Sequence, residues 1–195
     1  PGDCCCRPFP EPCPPLLEFL KVQRGTDYAD RMVYPDEGAT YERVIEIDLA
    51  DVPMTVATPG DSRNRLAINL AGDVDVHNVV IASCTGGSLS DLRAAADVLR
   101  GRKIRDGVRL TVTPSSAVVA KAAEEEGLLD LFRELGAVVS PPGCGSCIGN
   151  GPGVPLRGET TASTTNRNFD RRMGAPGPVY LVSPAVAAAC AVTGK

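Results

Sequence analysis

Tryptophan is absent from the sequence, histidine occurs once, and only four Tyr and four Phe are present. The apolar residues are therefore mainly Val, Ala, Leu and Ile, a composition expected of buried strands covered by small-residue helices. No run approaches the roughly 20 apolar residues that a membrane helix needs, so we expect no membrane association. Basic residues are not in excess either, since the net charge is −4. This charge argues against binding to nucleic acid.

The N-terminus lacks a positively charged start followed by an apolar run, so we expect no signal peptide. The chain begins with Pro rather than Met, which fits a processed, cut or partial chain. Residues 1–15 are rich in Pro and Cys. Because Pro disfavours regular structure, we predict a disordered leader there in preference to a metal-binding cysteine tract.

Eight cysteines could form disulfides in a secreted protein, but 195 residues can build a core without them. Four cysteines lie in the leader, Cys190 lies in an Ala-rich helical segment, and three lie beside Gly-rich loops. We therefore expect free thiols and a reducing, cytoplasmic compartment.

Residues 78–195 alternate between strand and helix patterns. They follow a helical pattern at 16–24, a strand-like alternation at 43–49 (RVIEIDL) and a loop rich in Pro and Gly at 51–65. The predicted strands are 78–82, 108–112, 137–139, 159–163 and 179–182, and the predicted helices are 89–100, 116–126, 128–135 and one beginning at Pro184. Ser88, with Asp91 three residues later, predicts a capping box at the start of the helix at 89–100. This alternation predicts an α/β fold with a mostly parallel sheet. We divide the chain into a leader (1–15), a connecting segment (16–75) and an α/β domain (76–195).

Three cysteines follow predicted strands, where parallel α/β sheets gather their ligands. Cys84 lies in SCTGG between a strand and the next helix, where helix-start N–H groups favour a thiolate. Cys144 and Cys147 lie in PGCGSCIG, after the strand that ends near residue 139. Two cysteines with two residues between them can chelate one centre, and the flanking glycines let backbone N–H groups approach the sulfurs, as an iron–sulfur cluster requires.

The Cys-x-x-Cys pattern alone leaves alternatives open. A thioredoxin-like redox pair would open a helix near the N-terminal end of its domain, whereas a Gly-Pro-rich stretch follows Cys147 here. A zinc site would need a fourth ligand, and His77, which precedes a strand, is more simply an ordinary strand-edge residue. Inert buried cysteines remain an equal alternative to a three-thiolate centre at this point.

Five segments, taken in order and spacing, resemble the third domain of the aconitase family. They are IASCTGGSLSDLRAAADVLRGRKI, LTVTPSS, PPGCGSCIGNGPG, TTASTTNRNFDRR and LVSPAVAAACAVTG. Within the family the likeness is greatest to the large subunits of the isopropylmalate dehydratase and homoaconitase branches, and it runs from about Thr40 to the C-terminus. The resemblance implies a three-layer α/β/α sandwich with a mostly parallel sheet.

The resemblance also implies a 4Fe–4S cluster with three cysteine ligands, which correspond to Cys84, Cys144 and Cys147. The fourth iron would lack a protein ligand and act as a Lewis acid on the substrate's hydroxyl. We predict that the three sulfurs converge within about 7 Å and that Cys190 and the leader cysteines lie elsewhere.

The segment NRNFDRR is similar to a family motif that binds substrate carboxylates. By that match Arg167 and Arg172 are the carboxylate-binding arginines, which their bidentate guanidinium suits. Asn166 would lie near the cluster, and Arg171 would be a solvated surface charge.

Three departures from the family pattern predict a divergent member with an altered substrate or weakened activity. Gly86 stands where the family usually has Asn, so a polar contact near the cluster or substrate is lost. The family's usual TPGS turn reads TPSS at residues 113–116, and Asp170 stands where the family has Gly. The family's catalytic His and Asp residues, placed in two preceding domains, are not found here, nor is its serine base, which belongs to a swivelling domain or small subunit.

The resulting prediction is the cluster-bearing part of a hydro-lyase that isomerises a hydroxy di- or tricarboxylic acid by dehydration and rehydration. A 3-isopropylmalate-like substrate, of the leucine-biosynthesis type, is expected. The partners implied are a small subunit and the missing N-terminal large-subunit domains. The alternative is a non-catalytic remnant that senses iron or oxygen or serves as an interaction module. A ferredoxin-like carrier ranks third, because it would supply four thiolates.

Overall fold

The computed structural model describes residues 13–195 and divides the chain into two compact units, Pro1–Leu49 and Ala50–Lys195. Most of the predicted leader, including Cys4, Cys5 and Cys6, lies outside the described residues. The division into segments 1–15, 16–75 and 76–195 stays a prediction.

The first unit contains one α-helix, α1 (Pro14–Arg24), among its described residues. Two prolines open the helix, where their fixed backbone angle suits the first turn, and Gly25 ends it in the left-handed conformation at φ 64°. The helix predicted at 16–24 is therefore confirmed. None of the residues from 13 to 49 is buried.

The strand predicted at residues 43–49 is wrong. Residues 43–48 have no regular secondary structure, and a 3₁₀ turn follows at Leu49–Asp51. The apolar side chains that produced the alternation, Val44, Ile45 and Ile47, are all exposed. A strand is held by a hydrogen-bonded neighbour, and the alternating pattern alone does not provide one.

The second unit is built on one seven-stranded sheet with the order β2-β1-β7-β6-β3-β4-β5. Its strands are β1 (Thr55–Ala57), β2 (Arg65–Ala67), β3 (Asn78–Ala82), β4 (Arg109–Thr113), β5 (Val138–Val139), β6 (Thr161–Ser163) and β7 (Val179–Leu181). Strands β3 to β7 pair in parallel, whereas β1 pairs antiparallel with both β2 and β7. The predicted mostly parallel α/β sheet is confirmed. The short hairpin of β1 and β2 was predicted only as a loop.

The α-helices of the second unit are α2 (Ser83–Gly86), α3 (Leu89–Leu99), α4 (Ala117–Glu125), α5 (Leu128–Glu134) and α6 (Pro184–Thr193). Helices α3 to α6 pack against one hydrophobic cluster on the sheet. The central strand β3 is buried along its whole length, and Val79 and Ile81 join the cluster with Leu92, Phe132 and Ala187. Alternate residues of β3 point to opposite faces, so both faces of this strand are covered.

The opposite face of β3 packs against a smaller cluster. Val80 and Ala82 contact Met173, which is fully buried, and Val179 completes the group. Met173 belongs to the loop between β6 and β7, so this loop forms part of the second outer layer. The layers agree with the predicted α/β/α sandwich.

Serine side chains cap the starts of α3, α4 and α6. Ser88 Oγ accepts the Asp91 N–H at 3.3 Å, and the Asp91 carboxylate accepts the Ser88 N–H at 3.0 Å, which forms the predicted capping box of α3. Ser183 caps α6 through the Val186 N–H, and Pro184 is its first residue. No helix within residues 13–195 has the length and apolarity that crossing a membrane requires.

Candidate metal centre

The predicted cysteine ligands lie beyond the carboxyl ends of parallel strands. Cys84 follows β3, the loop with Cys144 and Cys147 follows β5, and the segment 164–173 follows β6. Because β3, β4, β5 and β6 are parallel neighbours, their carboxyl ends lie along the same edge of the sheet. The arrangement matches the location expected for a ligand site in an open α/β sheet.

Cys84 is held on a tight turn with its side chain exposed. The preceding Ser83 is buried and has a left-handed backbone, at φ 74°, which is uncommon for a residue other than Gly. Ser83 Oγ lies 2.9 Å from Thr85 Oγ1, and Thr85 Oγ1 donates to the carbonyl of Thr164 at 3.2 Å. These contacts fix the turn against the end of β6.

Gly86 packs directly on Thr164. A Cβ atom at Gly86 would lie 2.3 Å from Thr164 Cβ, so a larger residue there would require the Thr164 segment to move. Thr164 Oγ1 also lies 3.2 Å from the carbonyl of Gly86. Glycine at position 86, where the family usually has Asn, therefore agrees with the packing, because Thr164 fills the space that a side chain would occupy.

Cys147 lies in a short 3₁₀ helix, Gly145–Ile148, and Cys144 is the residue immediately before it. The Cys147 N–H donates to the Cys144 carbonyl at 3.0 Å. Cys144 is exposed, whereas Cys147 retains only 5% of its exposure. The turn thus offers one accessible thiol and one that faces the protein.

Thr113, the last residue of β4, lies between the two cysteine loops. A Cβ atom at Gly87, next to the Cys84 turn, would lie 2.6 Å from the Thr113 carbonyl. A Cβ atom at Gly145 would lie 3.8 Å from Thr113 Oγ1. Both loops therefore pack on the same residue at the sheet edge.

Within the described part of the chain, no three His, Cys, Asp or Glu side chains form a group that could hold a metal ion. In a cluster each cysteine binds a different iron, so its thiolates stand farther apart than the ligands of a single ion. The convergence of the three sulfurs within about 7 Å stays a prediction. The donor chemistry fits a cluster, because all three cysteines are free thiols and thiolates are the ligands that iron–sulfur clusters use.

Arg172 reaches one of the predicted ligands. Its Nη2 atom lies 3.8 Å from Cys147 Sγ, and its guanidinium lies 5.6 Å from the ring centroid of Phe169. Arg167 is exposed, and its Nη1 donates to the carbonyl of Asn166 at 2.8 Å. Arg171 is exposed beside Asp170, as a solvated charge would be. Substrate contact by Arg167 and Arg172 stays a prediction.

Several buried polar atoms at this edge lack a hydrogen-bond partner among the described residues. They are Arg172 Nε, Asn166 Oδ1, Ser146 Oγ and Thr113 Oγ1. A buried donor or acceptor without a partner costs about 1–3 kcal/mol. A polar ligand at the sheet edge would remove part of that cost, and two of the four atoms belong to residues predicted to contact one.

A loop that the sequence identified only as Pro- and Gly-rich also packs at this edge. The Gly60 N–H donates to the Asn168 carbonyl at 3.1 Å, and Asn168 Nδ2 donates to the Thr58 carbonyl at 2.7 Å. The pKa of Asp61 is lowered to about 2, mainly by hydrogen bonds from Arg63, and the charge of Arg167 makes a smaller contribution to this lowering. Asp61 therefore lies within electrostatic range of Arg167, a relation that no local motif indicates.

His77 lies far from the cysteine edge. It is exposed immediately before β3, whereas Cys84 follows the other end of that strand. Five strand residues at about 3.3 Å each separate the two ends by roughly 16 Å. Its Nδ1 accepts the Thr160 N–H at 3.4 Å, which agrees with an ordinary strand-edge role.

Cys190 lies on α6 and lines an apolar cavity of about 230 Å³ with Val56, Tyr180 and Val186. Burial raises the pKa of its thiol. Neither the cavity nor α6 contains a predicted cluster ligand, as expected for Cys190.

Residues 69–194 match the sequence profile of the aconitase family (aconitate hydratase). The chain is 48% identical over 181 residues to the 3-isopropylmalate dehydratase large subunit of Clostridium kluyveri and 50% identical over 180 residues to that of Lachnoclostridium phytofermentans. Both alignments cover 92% of the chain and 42% of the relative. Large subunit 1 from Pyrococcus furiosus is 44% identical over 188 residues, covering 95% of the chain and 44% of the relative. The chain thus spans less than half the length of these relatives.

Proposed function

The chain belongs to the aconitase family, and on that premise we propose that it is the part of a hydro-lyase that holds a 4Fe–4S cluster on Cys84, Cys144 and Cys147. The reaction is the dehydration and rehydration of a hydroxy di- or tricarboxylic acid, with a 3-isopropylmalate-like substrate. The relatives named as 3-isopropylmalate dehydratase large subunits support this choice of substrate.

The observation that carries the proposal is the meeting of the two cysteine loops and the segment 164–173 at one edge of the sheet. Both loops pack on Thr113, and Arg172 of the third segment approaches Cys147. Three free thiols, two of them exposed, lie on glycine-rich turns and supply soft ligands. The glycines of these turns let backbone N–H groups approach the sulfurs.

A cluster with one iron lacking a protein ligand supplies, when bound, a Lewis acid for the departing hydroxyl. Arg167 and Arg172 bind the substrate's carboxylates through their forked N–H groups and so fix its orientation. Asn166 offers its buried Oδ1, which has no partner among the described residues, as an acceptor at the same edge. The base that removes the carbon-bound proton belongs to another part of the enzyme, since His77 is too distant.

The partners in this proposal are a small subunit with a swivelling domain and the remaining portion of a large subunit. The coverage of only 42–44% of the relatives' length supports the second of these. A reducing, cytoplasmic setting completes the proposal, and the free state of the five cysteines from Cys13 to Cys190 supports it.

Anaerobic reconstitution of the chain with ferrous iron and sulfide tests the proposal. We expect visible charge-transfer absorbance and about four irons per chain by chemical analysis. Cys84→Ser, Cys144→Ser and Cys147→Ser should each abolish or sharply reduce stable iron uptake, because serine oxygen is a poor replacement for thiolate at iron.

Cys190→Ser is the matched control, because Cys190 lies on α6 and should leave iron uptake unchanged. Iron uptake that is absent in the parent chain, or equal in all four variants, would remove the cluster from this site. A stable cluster combined with no turnover in the presence of all partner polypeptides would favour the sensor alternative.

A further inference from the structure

The guanidinium of Arg172 lies beside the thiol of Cys147. Its Nη2 atom is 3.8 Å from Cys147 Sγ, within the range of a hydrogen bond to sulfur. Cys147 is the most buried of the three proposed ligands, so the guanidinium approaches the sulfur inside the protein rather than in bulk water. Removal of water strengthens the interaction of a cation with a thiolate.

Two glycines make this approach possible. A Cβ atom at Gly149, two residues after Cys147, would lie 2.8 Å from the backbone nitrogen of Gly174. Gly174 in turn follows Arg172 by two residues, and a Cβ atom there would lie 3.1 Å from the Gly149 carbonyl. The two loops therefore touch backbone to backbone, which sets the distance between Arg172 and Cys147.

The side chain of Arg172 is restrained on the other side as well. Its guanidinium lies over Phe169, 5.6 Å from the ring centroid, and the backbone N–H of Arg172 donates to the Phe169 carbonyl at 3.0 Å. The adjacent Met173 is fully buried under β3. A guanidinium held between an aromatic ring and a sulfur loses little further freedom when it donates to that sulfur.

Among residues 13–195, no carboxylate forms an ion pair with Arg172. The neighbouring Arg171 pairs instead with Asp170 and remains exposed. The positive charge of Arg172 is thus available to the thiolate and is not neutralised by an acidic side chain of this part of the chain.

We propose that Arg172 is a positioning residue for the cluster: it donates an N–H to the Cys147 sulfur and stabilises the cluster's more negative, reduced state. The inference rests on the proposed function and adds to it a role for Arg172 apart from substrate binding. Hydrogen bonds and positive charge at ligand sulfurs raise the reduction potential of iron–sulfur clusters. A cluster so stabilised is also oxidised, and lost, more slowly.

The test compares Arg172→Gln with Arg171→Gln in the reconstituted chain, since both variants remove one positive charge from adjacent positions. We expect the reduction potential to fall in Arg172→Gln and the rate of cluster bleaching by ferricyanide to rise about two- to tenfold, the factor that one net hydrogen bond provides. Arg171→Gln should match the parent chain in both measurements. Arg172→Lys, which keeps the charge and an N–H donor, should restore part of the loss.

The two hypotheses fail in different ways. If the parent chain takes up no iron, the proposed function fails. If the parent chain forms a cluster and Arg172→Gln has the parent's potential and bleaching rate, the inference alone is overturned. Should Arg172→Gln fail to fold by circular dichroism, Arg172→Met takes its place, because it removes the charge and every side-chain N–H donor, and a parent-like potential and bleaching rate in that variant would overturn the inference.

Discussion

The hydroxyl of Thr164 acts as a backbone acceptor for Ala82. Its Oγ1 accepts the Ala82 N–H at 2.9 Å, just beyond Val80↔Ser163, the last pair that joins β3 to β6. The same oxygen lies 3.2 Å from the carbonyls of Ala82 and Gly86. One side chain therefore extends the sheet pairing up to the turn that carries Cys84.

Thr164→Val should lower the free energy of unfolding by about 1–3 kcal/mol, because the buried Ala82 N–H would lose its acceptor while the side-chain volume is kept. Urea denaturation measures the loss. Thr164→Ser, which keeps the hydroxyl, should recover most of it. Thr193→Val, at an exposed hydroxyl near the end of α6, is the control, and a loss there equal to that of Thr164→Val would contradict the expectation.

Gly149→Ala should destabilise the protein more than Gly151→Ala. Both glycines have left-handed backbones, at φ 78° and 73°, but a Cβ at Gly149 would meet Gly174 whereas a Cβ at Gly151 meets nothing within 4 Å. The left-handed backbone lowers the free energy of unfolding of each variant by about 1–2 kcal/mol. The steric conflict lowers it by about 1–3 kcal/mol more in Gly149→Ala alone. Thermal and urea unfolding of the two variants side by side checks the difference, and equal losses would show that the two loops are free to separate.

Arg167→Lys, placed in a fully assembled enzyme, should lower kcat/KM by a factor that corresponds to about 2–4 kcal/mol of lost transition-state binding. The reason is that a point charge cannot replace a bidentate carboxylate contact. Arg102→Lys, at an exposed position, is the control. Steady-state kinetics with both variants measures the effect, and unchanged kinetics in Arg167→Lys would remove Arg167 from the site.

The reconstituted chain alone should not hydrate an unsaturated diacid such as isopropylmaleate. Polarisation of the hydroxyl is not sufficient for the reaction, because a base must also lie within hydrogen-bond reach of the carbon-bound proton. Addition of the remaining large-subunit portion and a small subunit should restore turnover, followed as loss of the unsaturated diacid's ultraviolet absorbance. Turnover by the isolated chain, abolished in Cys147→Ser, would mean that the base lies within residues 1–195.

Cys190 should react with iodoacetamide more slowly than the exposed Cys84 and Cys144 in the metal-free chain. Burial raises the pKa of its thiol, so the reactive thiolate is scarcer than in an ordinary thiol at the same pH, and its alkylation should accelerate only at higher pH. The free energy of unfolding should also fall at high pH. The fold favours the neutral thiol of Cys190, and this contribution is lost as pH rises above the ordinary thiol pKa. Mass spectrometry across a pH series measures the order, with exposed Cys84 and Cys144 as internal references.

The sequence predicted the parts of the fold that local patterns specify. The capping box at Ser88 and Asp91, the buried strand β3 and the cysteine loops after strands all depend on residues a few positions apart. The strand predicted from the alternation around Val44 and Ile45 does not form, and both side chains are exposed. An alternating pattern of side chains does not show whether a neighbouring strand is present to form hydrogen bonds.

Contacts between distant parts of the chain could not be predicted in this way. Thr164 bonds a residue 82 positions away, and Arg172 meets a sulfur 25 positions away through the packing of two glycines. The three-residue strands β1 and β2 are too short to show an alternation, and their pairing, Thr55↔Ala67 to Ala57↔Arg65, arises from the turn between them. The candidate site was therefore predicted as a set of residues, and its internal supports were not.

The two edges of the sheet are short. Strand β2 has three residues and β5 has two, so each edge offers few backbone groups to an incoming strand. Edges of this kind resist the addition of a strand from another molecule, which protects the sheet from aggregation through its rim. Any polypeptide that joins this unit must consequently recognise side chains and loops, and its specificity will depend on surface shape and charge rather than on generic main-chain pairing.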